Sequence, residues 1–173
     1  MNKKAVISIS SMQGGDKEPI SVITPGNFYI KDKTYYARYE ETEISGMKGT
    51  TTTLKIKSDE LVLMRKGTTN AKMQFSKDLK NVSMYDTPYG TLQIQTNTTD
   101  IDINVDENGG KACVTYNMDI AGQRVPTTNL KIEIKVNKEQ DIIRYQDNDN
   151  RFYVPFGKEN EINTIYFSCN LLL

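Results

Sequence analysis

Along most of this chain apolar and polar residues alternate. The clearest run is Leu130-Lys131-Ile132-Glu133-Ile134-Lys135-Val136, with apolar residues at the even positions and charged ones at the odd positions. Side chains two apart on an extended backbone share a face, so this is the pattern of a strand with one buried and one wetted side. Thr52, Leu54 and Ile56 stand against Thr53, Lys55 and Lys57 in the same way, as do Leu92, Ile94 and Thr96 against Gln93, Gln95 and Asn97. No window of a dozen residues carries a three-to-four apolar period, so helix is predicted to be a minor element.

Turn residues punctuate the alternation at Gly14-Gly15-Asp16, Lys31-Asp32-Lys33, Ser45-Gly46, Ser58-Asp59, Thr87-Pro88-Tyr89-Gly90, Asn108-Gly109-Gly110 and Ala121-Gly122. Glycine supplies positive φ and proline a preset φ, which is what tight hairpin corners need. The intervals predict strands near 3–12, 18–31, 33–44, 47–57, 60–66, 71–76, 80–86, 90–105, 111–120 and 123–136. Gly26 after Pro25 predicts a bend or bulge inside the long second strand. Short strands with no room for crossover helices make an all-β, antiparallel up-and-down meander. Closing it into a barrel of about 8–10 strands removes its exposed edges; a sandwich is the architectural alternative.

From Asn137 the pattern changes. Asn137-Lys138-Glu139-Gln140 and Gln146-Asp147-Asn148-Asp149-Asn150 are polar clusters enclosing short apolar pieces such as Ile142-Ile143. Residues 1–136 are therefore read as the barrel and residues 137–173 as a C-terminal extension, in which 151–156 and 164–168 could each form a strand. The extension either covers part of the barrel or is loosely ordered, and the Asn- and Asp-rich spacer favours the second.

Composition narrows the chemistry. The 173 residues carry 22 Lys and Arg against 22 Asp and Glu, so no global field draws the protein onto nucleic acid or an anionic membrane. The basic start Met1-Asn2-Lys3-Lys4 is followed by alternation rather than by a continuous apolar run, and nothing approaches the roughly eighteen apolar residues of a membrane span. A cytoplasmic location is the expectation. Cys113 and Cys169 show no C-x-x-C spacing and are read as unpaired thiols. Histidine is absent, which removes the usual general base and the commonest transition-metal ligand. Asp100, Asp102, Asp106 and Glu107 are clustered but fit no calcium loop, because the required glycine and closing glutamate are missing. No cofactor, metal site or catalytic residue is predicted.

Four short motifs, in order, carry a resemblance. They are Tyr39-Glu40-Glu41, Met64-Arg65-Lys66-Gly67, Tyr85-Asp86-Thr87-Pro88-Tyr89-Gly90 and Tyr116-Asn117-Met118. With these motifs in register, residues 3–136 resemble the YwiB-like family, uncharacterised bacterial proteins described as calycin-like (lipocalin-like) β-barrels. The resemblance implies a fold; it carries over no activity. It stops near Val136, and residues 137–173 have no counterpart in it.

Strand parity then selects polar residues that point inward. In the third strand Tyr35, Ala37, Tyr39 and Glu41 share a face, and in the fifth Leu61, Leu63 and Arg65 do. The apolar members mark both faces as interior, which puts a carboxylate and a guanidinium inside the barrel or at its rim. Isolated buried charges are costly, so Glu41 and Arg65 are predicted to be neighbours. They form either a polar anchor for a ligand or an ion pair that fixes strand register. Tyr39, Tyr85 and Tyr116, with Tyr35, add rings with polar tips, a mixture found in small-molecule pockets and equally in strand cores. The leading functional reading is a non-catalytic module holding a small amphipathic ligand through Tyr39, Glu41, Arg65, Tyr85 and Tyr116. The alternatives are a filled barrel acting as a protein–protein interaction module, and an enzyme with Glu41 as acid or base and Arg65 stabilising negative charge.

Overall fold

In the computed structural model, which describes residues 2–43 and 45–137, the chain forms ten antiparallel strands. They are β1 (Asn2–Gln13), β2 (Ile20–Lys31), β3 (Thr34–Glu40), β4 (Thr50–Ile56), β5 (Glu60–Gly67), β6 (Asn70–Ser76), β7 (Lys80–Thr87), β8 (Gly90–Asp106), β9 (Gly109–Ile120) and β10 (Gln123–Val136). Each pairs with its sequence neighbours, and β10 pairs with β1 from Ala5↔Val136 to Gln13↔Thr128, which closes the barrel. Closure gives every strand a partner on both sides and leaves no free sheet edge. The extension predicted over residues 137–173 falls outside the described residues except for Asn137, whose amide donates to the Lys4 carbonyl.

The predicted alternation becomes the core directly. The even residues Leu130, Ile132 and Ile134 of β10 meet Ile7, Leu54, Leu61, Ile94 and Val114 inside the barrel, all of them buried. Two irregularities reset the parity. In β8 the register on β9 shifts between Thr98 and Asp100, and in β10 the register on β9 shifts between Val125 and Thr128. An extra residue in one strand moves the following side chains to the opposite face. In β8 the inward set accordingly passes from Ile94, Thr96 and Thr98 to Ile101, Ile103 and Val105. The β6–β7 seam is the thinnest, paired only at Asn70↔Asp86 and Ala71↔Tyr85, with the Ser83 hydroxyl donating to the Lys72 carbonyl at 2.5 Å.

Two sequence expectations need correction. The third and fourth strands, predicted over 33–44 and 47–57 around a tight Ser45-Gly46 turn, instead end at Glu40 and begin at Thr50. Gly46 and Gly49 take φ of 70° and 84°, so the chain leaves the sheet. Between these glycines Met47 turns inward and is buried. Nor is Gly26 a bulge: the β1–β2 ladder runs unbroken through Val6↔Pro25 and Ala5↔Gly26. A Cβ there would lie 2.6 Å from the Arg38 carbonyl oxygen and 2.5 Å from Ile7 Cδ1, so glycine is required by the close approach of backbone and core.

Connections alternate between the two ends of the barrel. One end carries the long loop 41–49 with the β1–β2, β5–β6, β7–β8 and β9–β10 turns. The opposite end carries Asp32-Lys33, the Lys57–Asp59 corner, and the β6–β7 and β8–β9 turns.

Candidate functional site

Cross-strand register brings the predicted residues together at the loop 41–49 end. Tyr39 of β3 pairs with Thr52 of β4, Thr52 with Arg65 of β5, Arg65 with Ala71 of β6, and Ala71 with Tyr85 of β7. These five side chains form one inward row around the wall. Ala71 is the gap in the row, and across it Arg65 Nη1 donates to the Tyr85 hydroxyl at 3.2 Å. The guanidinium carbon lies 5.9 Å from the Tyr85 ring centroid. The Tyr85 hydroxyl in turn donates to Met47 Sδ at 3.4 Å, which ties the row to the covering loop.

Glu41 lies one residue past β3, yet its amide donates to the Thr50 carbonyl and its side chain keeps the inward direction. Its Oε1 accepts from the Thr52 hydroxyl at 2.5 Å and stands 3.7 Å from Arg65 Nε. The ion pair is real in charge, but the separation is too long for a hydrogen bond. Both side chains are enclosed, with Glu41 8% and Arg65 5% exposed, and among the described residues Arg65 Nε has no hydrogen-bond partner. A buried donor left unpaired is uncommon and costs free energy.

Tyr116 of β9 enters from the opposite wall, its ring 4.9 Å from that of Phe75 and inclined by 47°. Burial pushes its phenol up to about 12, partly opposed by the Arg65 charge. Burial, reinforced by the Glu41 charge, raises the Tyr39 phenol further above its ordinary value. Both rings stay neutral at physiological pH and act as walls and hydrogen-bonding groups.

The free space among Tyr39, Glu41, Met47, Leu63, Arg65 and Tyr116 is about 30 Å3. That admits a water-sized molecule and nothing larger without movement. Sequence reasoning missed Thr52 and Met47. Thr52 could have been found once the β3–β4 register was known, whereas Met47 had been placed on a strand. Tyr35 does not join the row: it lies four residues from Tyr39, about 13 Å back along β3, with its ring parallel to Phe28 at 5.8 Å and 4°. Among the described residues no three Cys, Asp or Glu side chains converge as metal ligands, and no helix is long and apolar enough to cross a membrane.

Architecture and site together define a closed, ten-stranded antiparallel β-barrel with a polar cluster beneath one end. The family described as "Domain of unknown function (DUF1934)" matches residues 6–132, and the chain belongs to it. It is 28% identical over 119 residues to the "Uncharacterized beta-barrel protein YwiB" of Bacillus subtilis (strain 168), covering 68% of this chain and 82% of that protein. The crystal structure of the ywiB protein from Bacillus subtilis superposes with a TM-score of 0.64 at 22% identity, covering 79% of this chain and 94% of that one. That likeness establishes a shared fold.

Proposed function

We propose that this protein is a non-catalytic binding module that holds a small amphipathic ligand at the loop 41–49 end of the barrel. The observation that carries this reading is Arg65 Nε, without a hydrogen-bond partner among the described residues and buried beside the Glu41 carboxylate, which accepts from Thr52. A ligand group that accepts from Arg65 and donates to Glu41 satisfies both. The apolar part of such a ligand packs on Leu63, Phe75 and Leu130 once Met47 withdraws with its loop. Met47 is suited to this because an unbranched thioether repacks easily. The balanced charge supports a small molecule over nucleic acid or a membrane surface as partner, and the cytoplasm is the compartment we assign.

Native mass spectrometry of the protein purified from its own host tests the reading. A small-molecule adduct that disappears on denaturation, and whose occupancy falls in Arg65→Gln, is the expected result. A clean apo mass in both proteins would overturn it. The second reading, an interaction module working through its outer surface, is favoured by the nearly full interior. Its signature is a protein cross-linked to the barrel exterior in host cells, with the interior unoccupied.

A further inference from the structure

The opposite end of the barrel is built differently. Among the described residues, an open cleft of about 490 Å3 is set between the β2–β3 turn, the β4–β5 corner and the end of β8. The apolar part of its wall is Tyr35, Ile103 and Val105, half-buried and packed against the core, and Thr34, Ser58 and Asn104 contribute polar lining beside them. The bulge at Thr99 is what turns Ile103 and Val105 inward here. Without that extra residue the polar Asp102 and Asn104 would occupy the wall. Among the described residues the cleft has the volume of a small-ligand site.

The rim decides the class of ligand. Asp32 and Lys33 stand beside one another, and Lys57 is held 2.9 Å from Glu60 with Asp59 next to it. Positive and negative groups are interleaved, and Asp32, Lys33, Lys57 and Asp59 lie at the solvent-exposed edge. No buried charge in the cleft calls for a counterion, in contrast to the Glu41–Arg65 end. Ser58 and Asn104 supply uncharged donors and acceptors at the same edge.

We infer that this cleft is a second binding site, for an uncharged small amphiphile with an aliphatic body and a hydroxyl or amide end. The body lies on Tyr35, Ile103 and Val105, and the polar end meets Ser58 and Asn104 at the rim. The site is separate from the Glu41–Arg65 cluster and does not depend on it.

Amide NMR of the full chain, titrated with 1-octanol, octyl sulfate and octylammonium, tests this. The expected result is saturable shifts at Tyr35, Ser58 and residues 103–105 with octanol, and weaker binding of both charged analogues. Ser58→Trp lies in an exposed turn, so the variant folds while its side chain obstructs the cleft; it should raise the octanol Kd at least tenfold. Val105→Lys gives a second, independent loss. Absence of saturable shifts, shifts confined to Tyr39, Leu63 and Arg65, an unchanged Kd in Ser58→Trp, or tighter binding of a charged analogue would each overturn the inference.

Discussion

The two ends of the barrel are made from the same alternating strands and differ in what closes them. At one end loop 41–49 folds inward, and Met47 seals a polar cluster in which two opposite charges are nearly removed from water. At the other end the two-residue and three-residue connections are too short to fold over the mouth, and among the described residues Tyr35, Ile103 and Val105 stay half-buried beside a cleft. Among the described residues, the end with the enclosed charge pair is covered by its loop, and the end with the half-buried Tyr35, Ile103 and Val105 keeps a cleft. Loop length at one end and the β8 bulge at the other distinguish the two ends among the described residues.

Substitutions at the closed end should cost far more than those at the open end. Arg65→Met leaves Glu41 buried without its counter-charge, and unfolding in urea should show a loss of about 3–5 kcal/mol. Adding Glu41→Leu should restore much of it, because a well-packed apolar pair avoids the desolvation of both ions. An Arg65→Met protein with unaltered stability would show that the pair contributes nothing as enclosed charge.

Alkaline pH tests the same enclosure. The folded-state phenols of Tyr39 and Tyr116 lie above the unfolded value near 10. Their contribution is therefore fully present below about pH 10 and is lost as pH rises through the folded pKa values. For Tyr116 alone the loss between pH 10 and 12 is roughly 3 kcal/mol. Tyrosinate absorbance should show these two rings ionising together with unfolding; ionisation in the folded state would break the claim that this end is sealed.

Smaller effects sharpen the contrast. Met47→Ala removes the plug and should cost about 2 kcal/mol, near the lower limit for a buried methionine because a loop can partly collapse. Val105→Ala at the open end should cost less than about 1 kcal/mol, since one side of Val105 is already wet. Equal costs in thermal melts of these two variants would remove the distinction between the ends.

Much of this was legible from spacing. The face of β3 that carries Tyr35, Ala37 and Tyr39 and continues to Glu41 just past its end, and the face of β5 that carries Leu61, Leu63 and Arg65, follow from a period of two, and pairing through β4 brought Glu41 and Arg65 together. The role of Ala71 was not legible, because a small residue matters there only through the register that puts it between Arg65 and Tyr85. The same holds for Thr99, whose extra place in β8 changes which side chains line the open cleft, although its neighbours look like any polar strand.

By itself the sequence determined the strand class, the number of strands, the inward faces and the buried charge pair, because alternation is a local property of an extended chain. Only the tertiary structure decided that β10 closes on β1, that loop 41–49 covers one mouth, and that the space beside Glu41 and Arg65 is about 30 Å3 while the described residues at the opposite mouth leave about 490 Å3. Those outcomes depend on register between strands distant in sequence and on where a loop packs. Both are set by the summed fit of many side chains and leave no periodic trace in the chain.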